Sequence, residues 1–410
     1  MRRVTGVLAA AALGACGGSD GPPPVDWTGT PGTPIPARFD QWVPSVDVAI
    51  DGQPHHVLLD TGSPRTLLDG DDFAGIAPGA YDVDLELGGL TFPLLEVGLF
   101  DVFAYAQSRE PPLEGLVGGD VFAPFALSLD YQGERVWLDE EPGDLDGAVV
   151  IDACIAGGGG LPIPGTGDTL QAGETRVLVR ALAEGHEVWL LVDSGASATV
   201  VSGELIDTLG DQGRPRLEGV TVGTATGPVP AYFTRVGDLR LGDPGGASDA
   251  SAVLTSLPVI VLDDETLFAS IRAEVGQPVQ AILGGTALRW FLTTFDYPRE
   301  RLLLRPYADP DHIDLDEFVA VGFGVAGAPG NWDIDDVVPG SDAEAEGLAA
   351  GEQLAELDGI DVRAASREAI DDILDTFDLG DDVPVGVLRA GEVVTLQIAV
   401  EDLLPDFEGP

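Results

Sequence analysis

Two tripeptides, Asp60-Thr61-Gly62 and Asp193-Ser194-Gly195, are where residue type and setting together could do chemistry in this chain. Each follows a run of large apolar residues, Val57-Leu58-Leu59 and Trp189-Leu190-Leu191-Val192. Each precedes another hydroxyl and a second apolar stretch. A buried strand that ends in Asp delivers a carboxyl to the edge of a core, and two such strands can set their carboxyls face to face. Carboxyls held about 3 Å apart cannot both ionise, so they share one proton. The charged member can then take a proton from water while the other donates one to the group under attack. This chemistry needs neither a metal nor a covalent intermediate. The glycine that closes each tripeptide permits close backbone approach.

The elements that must position these carboxyls are duplicated. Leu116-Val117-Gly118-Gly119 precedes Ser128-Leu129-Asp130-Tyr131, and Ile282-Leu283-Gly284-Gly285 precedes Thr294-Phe295-Asp296-Tyr297. Gly118 and Gly284 are 166 residues apart, as are Asp130 and Asp296. Asp60 and Asp193 are 133 apart, so the second copy carries 33 extra residues between its Asp and its glycine. The duplication gives two copies of a lobe. One Asp-Ser/Thr-Gly turn arises about once per thousand residues at average usage and would mean little alone. Two copies with the same downstream sequence in register carry far more weight.

Residues 41–308 resemble the aspartic peptidases, pepsin-like in having both lobes on one chain and retropepsin-like in lobe size and motif. The resemblance implies a mostly β, two-lobed acid-protease barrel fold in which Asp60 and Asp193 hydrolyse a bond in a peptide or protein substrate. It implies that the hydroxyls of Thr61 and Ser194 brace the two loops reciprocally, beside Gly62 and Gly195. It also implies that the segments ending in Gly118 and Gly284 support the loops from beneath. Ser63 is expected to hydrogen-bond a catalytic carboxylate, which its counterpart Ala196 cannot do. The stretch Val220 to Phe233 reads as strand, turn, strand. In the family such a hairpin is the flap, with Gly223 and Gly227 flanking its turn and Tyr232 as its aromatic. The first lobe shows no clear equivalent, so one flap is expected.

A third unit starts after Asp309-Pro310-Asp311. Val321-Gly322-Phe323-Gly324-Val325, Val338-Pro339-Gly340-Ser341 and Leu357-Asp358-Gly359 resemble a bacterial PDZ domain, α+β in fold, over residues 315–403. The resemblance implies that Gly322, Phe323 and Gly324 form the loop whose amides capture the C-terminal carboxylate of a peptide ligand. The apolar spacing of Ala369, Ile370, Ile373, Leu374 and Phe377 predicts a helix over 366–377, the other wall of the groove. Gly351-Glu352-Gln353 departs from the family's Gly-Asp-apolar pattern.

The N-terminus reads as an export signal. Arg2-Arg3, the apolar Val7 to Leu13 and the small residues after it form a core too short to span a bilayer. Leu13-Gly14-Ala15-Cys16 resembles a lipobox, which implies that Cys16 is lipidated. Gly17 in place of Asp points to the outer membrane of a Gram-negative bacterium. The organisation expected is signal peptide 1–16, flexible tether 17–40, first lobe 41–140, inter-lobe segment 141–170, second lobe 171–308 and PDZ 315–403. If Cys16 carries lipid, Cys154 is left without a disulfide partner and reads as a buried small residue.

Composition bounds the rest. A formal charge of −50 opposes nucleic-acid binding, which needs a basic footprint. The four histidines show no ligand spacing and the acidic runs lack a calcium-loop pattern, so no metal or other cofactor is expected. Abundant Gly and Pro between short alternating runs argue for a β protein. The competing function is a non-catalytic peptide-binding scaffold on a degenerate peptidase fold. The intact Asp and hydroxyl residues of both copies speak against it.

Overall fold

The computed structural model describes residues 25–410 except 74, 103–110, 144–145, 158–159, 212, 225–226, 243–250, 314–316, 408 and 410. Cys16 lies outside the described residues. Strands dominate, and the longest described helix is Thr266–Val275.

The two lobes repeat one plan. In the first, Ser45–Ile50 turns back through Asp51 and Gly52, both at positive φ, into Gln53–Leu59. Val57 and Leu59 point into the core, as the period-two geometry of a strand requires. Gln53–Leu59 runs parallel to Gly115–Val117, which pairs antiparallel with Leu67–Asp69. Leu67–Asp69 in turn runs parallel to Leu90–Phe100. The second lobe repeats each step. Glu174–Ala183 pairs with His186–Val192, which lies parallel to Val279–Leu283. Thr199–Ser202 then pairs antiparallel with Val279–Leu283 and parallel with Ala252–Leu262.

The extra residues of the second lobe include the strand Arg216–Thr224, which forms a hairpin with Gly227–Leu241. The first lobe has counterparts of the later strands in Gly79–Leu87 and Leu90–Phe100. Its described residues contain no counterpart of Arg216–Thr224.

A six-stranded sheet joins the lobes, with Phe291–Asp296 beside Ala126–Asp130 at its centre. Ser128 and Thr294, equivalent positions of the duplication, face each other there with hydroxyls 2.8 Å apart. The pseudo-twofold axis therefore passes between them. One apolar core runs through both lobes and includes Phe92, Phe122, Phe125 and Phe295. Cys154 is buried.

The third unit has its own core, around Trp332, Leu354, Ile370, Val385 and Ile398. Its sheet runs Phe323–Ala328, Asn331–Val337, Gln353–Leu357, Asp382–Arg389, Glu392–Ala399. The expected helix occupies Arg367–Leu374, where Ser366 caps it by accepting the Ala369 N–H. The unit is tied to the second lobe. Arg289 forms a two-pronged ion pair with Glu317, Arg235 donates to the Leu404 carbonyl, and Phe407 N–H donates to Ser256 Oγ.

Candidate active site

Strand pairing sets each carboxyl. Asp60 follows Gln53–Leu59 and its N–H donates to the Val117 carbonyl at 3.0 Å. Asp193 follows His186–Val192 and donates in the same way to Leu283, also at 3.0 Å. The glycine after each apolar pair fits the loop above it. A Cβ on Gly118 would overlap the Arg65 carbonyl, and one on Gly284 would overlap the Ala198 carbonyl. Gly118 and Gly284 are thus the floor on which the two Asp loops rest.

Four hydrogen bonds lock the loops to each other. Thr61 N–H donates to Ser194 Oγ (3.0 Å) and Ser194 N–H to Thr61 Oγ1 (2.9 Å). The hydroxyls donate onward, Thr61 to the Val192 carbonyl (3.1 Å) and Ser194 to the Leu59 carbonyl (2.8 Å). Both hydroxyl residues are fully buried, whereas Asp60, Gly62, Asp193 and Gly195 keep part of their surface in solvent. The carboxyls therefore lie at the floor of an opening.

The two carboxyls lie close enough to shift each other's protonation. Each glycine packs against the opposite carboxyl: a Cβ on Gly62 would overlap Asp193, and one on Gly195 would overlap Asp60. Asp60 also accepts the N–H groups of Gly62 (2.8 Å) and Ser63 (3.0 Å), and Asp193 that of Gly195 (2.8 Å). Burial, and then the neighbouring Asp193 charge, hold Asp60 well above the usual carboxylate range. Burial raises Asp193 too. Two partly buried acids that both favour protonation and sit this close can hold one proton between them and keep one negative charge.

The Ser63 hydroxyl differs from expectation. It donates to the Arg65 carbonyl, and the serine reaches Asp60 through its backbone N–H instead. Gly223 and Gly227 lie in the second-lobe hairpin, paired with Pro228 and Thr224. Residues 225–226 at its turn fall outside the described residues. Tyr232 does not hang from this hairpin as a free aromatic. It is 5 % exposed, packs into the lobe core and lies under the Arg216 guanidinium, 3.5 Å from its ring centre. In the third unit Gly322 takes φ +69°, and its carbonyl accepts the Val338 N–H. Phe323 turns into the core, and Gly324 lies so close to Asp336 that a Cβ would overlap that carboxylate.

Several residues of the site escaped the sequence reading. Arg176 donates from Nε to the Gly62 carbonyl at 2.8 Å. Arg65, buried beneath the first loop, pairs with the buried Asp120, which also accepts from Thr66 N–H and hydroxyl. Tyr131 and Tyr297 lie 166 residues apart in sequence and are buried, without a hydrogen-bond partner for either hydroxyl. Burial pushes both phenols up; Tyr307 and then Asp193 add to it at Tyr131, and Asp60 and Asp193 at Tyr297. The Asp-Tyr pairs of the repeat were visible in sequence, but nothing in them signalled proximity to the carboxyls. His56 lies between Asp47 (2.8 Å) and Ser45 (3.0 Å), the order of a serine-nucleophile relay. Ser45 is 2 % exposed, so the relay has no route to a substrate and serves the sheet. Asp69, Asp71 and Asp101 bring carboxylate oxygens within 4.8 Å of one another, an arrangement able to hold a cation. Asp69 already accepts the Asp71 N–H, and the dyad chemistry does not involve this group.

A family model described as aspartyl protease matches residues 179–287, the part of the second lobe that carries Asp193 and Gly284. This match supports an aspartyl protease domain, and the strand-rich, barrel-like architecture agrees with it. No curated protein matches the chain. Among solved structures it is similar to an aminopeptidase N family protein from Idiomarina loihiensis, at 25% identity and TM-score 0.19. That similarity covers 21% of this chain and 14% of the other. It is also similar to Basic 7S globulin from soybean, at 12% identity and TM-score 0.41, over 70% of this chain and 97% of that one.

Proposed function

We propose that this protein is an aspartic endopeptidase in which Asp60 and Asp193 act as one acid–base pair on water. The observation that carries the reading is the pairing of two partly buried carboxyls at the ends of duplicated strands, each packed against the other's loop glycine, with both protonation equilibria shifted upward. A water molecule between the carboxyls loses a proton to the ionised member while its oxygen adds to the peptide carbonyl carbon. The protonated member gives its proton to the carbonyl oxygen, leaving a tetrahedral diol. Return of a proton to the nitrogen then breaks the C–N bond, and the pair regains its single proton. Both carboxyls remain unmodified throughout. The interlocked Thr61 and Ser194 hold the carboxyls in register, so little reorganisation is needed at the moment of reaction. The second-lobe hairpin is the candidate cover for bound substrate, and its exclusion of water would strengthen these proton transfers.

The third unit serves, in this reading, as a PDZ domain that captures a peptide or partner protein. The edge strand Phe323–Ala328 and the helix Arg367–Leu374 are the groove walls that such capture uses. Asp336 beside Gly324 disfavours an incoming carboxylate, which favours a ligand that offers backbone or basic groups. Export by the N-terminal signal and lipidation at Cys16 would tether the enzyme to the outer membrane through residues 17–40.

A peptide in which the scissile carbonyl is replaced by a secondary alcohol tests the site directly, because it imitates the tetrahedral diol. Calorimetry should show binding at mildly acidic pH that weakens at least about a hundredfold in Asp60→Asn and in Asp193→Asn, as expected for a transition-state analogue. Equal binding by the folded variants would remove the enzyme reading and leave the scaffold.

A further inference from the structure

We propose that Arg176 breaks the symmetry of the carboxyl pair, making Asp193 the base and Asp60 the acid. The proposal rests on the dyad reading above and assigns a role to each member.

The two halves of the site are related residue by residue. Gly119 in the first lobe packs so tightly against Thr175 that a Cβ would overlap it, and Gly285 in the second packs in the same way on Trp42. The glycines are 166 residues apart and Trp42 and Thr175 are 133 apart, as the duplication requires. The next residue is Val43 on one side and Arg176 on the other. Val43 is an apolar residue, 1 % exposed. Arg176 is a cation whose Nε donates to the Gly62 carbonyl and whose other end pairs with Glu274 on the helix Thr266–Val275. Gly62 is the residue that packs directly on the Asp193 carboxyl. The guanidinium is thus bonded to Asp193's immediate neighbour, and the equivalent residue on the other side, Val43, carries no charge.

An opposite charge so placed favours the ionised form. The Gly195 N–H and the contact with Asp60 draw Asp193 back down against burial and Arg176 adds to them, while the charge on Asp193 pushes Asp60 further up. Tyr131 interacts with Asp193, and Tyr297 with both carboxyls. Burial keeps both phenols neutral, so neither adds a charge to the pair. Glu274 tempers Arg176 without cancelling it, because it lies on the far side of the guanidinium. Arg176 is a positioning residue for charge and touches no reacting atom.

The test reads the pH dependence of peptide cleavage by the full chain, together with the titration of whichever carboxyl remains in Asp60→Asn and Asp193→Asn. Arg176→Met should move the acidic limb of kcat/KM up by about one pH unit, a tenfold loss at a pH on that limb. Arg176→Lys should keep most of the wild-type profile, and Glu274→Gln should move the limb the other way. By carboxyl ¹³C NMR, Asp193 in Asp60→Asn should titrate below Asp60 in Asp193→Asn, and adding Arg176→Met should narrow that gap. An unmoved limb and an unchanged gap overturn the proposal, as does an identical titration of the two single carboxyls. Should Arg176→Met fail to fold, the opposite shift in Glu274→Gln decides it. Absence of cleavage by wild type would sink the peptidase reading alone, since the NMR gap is measured without substrate.

Discussion

At the scale of single residues, the site depends on what is buried with the carboxyls. Thr61 and Ser194 satisfy four backbone groups that would otherwise be stranded at the lobe junction. Thr61→Val should cost about 1–3 kcal/mol in urea unfolding, because it leaves the Ser194 N–H buried without an acceptor. Gly284→Ala should cost about 1–3 kcal/mol or more, since its Cβ would meet backbone that cannot give way. The raised dyad also sets a pH dependence of stability. The folded state keeps a proton that unfolded carboxyls release above about pH 4. That stabilisation is complete below the unfolded value and is lost as pH rises through the raised folded value. Asp60→Asn should therefore be more stable than wild type near neutral pH, with a flatter stability profile, and urea unfolding at several pH values checks this. The carboxyls and their hydroxyl neighbours were legible in the sequence because the repeat shows each twice. Arg176 was not, because its meaning lies in the missing charge at Val43, 133 residues away, which only the folded pseudo-symmetry exposes. Tyr232 misled because strand alternation turned it into the core.

At the scale of elements, the duplication explains both likeness and difference. Each Asp strand is flanked by the same parallel and antiparallel partners, so apolar runs around each tripeptide sufficed to anticipate the lobes. The braces beneath the loops diverged. The first lobe uses Arg65 and Asp120, both nearly fully buried, while the second uses Thr199 and Thr286, whose hydroxyls are 3.1 Å apart. Burial holds Asp120 above the usual range despite Arg65, the mark of a charge pair that is costly to break. Removing one member, as in Asp120→Ala, should cost about 3–5 kcal/mol, whereas a well-packed apolar pair at both positions should recover much of it. A double-mutant cycle in urea distinguishes the two. The hairpin of the second lobe was read correctly as strand, turn, strand. Its pairing back to Arg216 was hidden, because the register depends on a bulge between Leu217 and Val220.

At the scale of the whole molecule, two cores and one strongly acidic surface define the behaviour. The two lobes share a continuous core through the six-stranded sheet, while the third unit closes its own. Its docking was not legible in the sequence, since Arg235 to Leu404 and Arg289 to Glu317 join residues distant in sequence. A charge of −50 drives self-repulsion, so added salt should raise the unfolding temperature, as a thermal scan across ionic strength would show. The central claim concerns two lobes contributing one carboxyl each to a single reaction. The measurement that tests it most directly is mass-spectrometric cleavage of a peptide library by the full chain between about pH 3 and 7, beside Asp60→Asn and Asp193→Asn. The account predicts cleavage by wild type and none by either variant, because each removes half of the shared acid–base pair. Undiminished cleavage in one folded variant, or none by folded wild type at any pH, would contradict it.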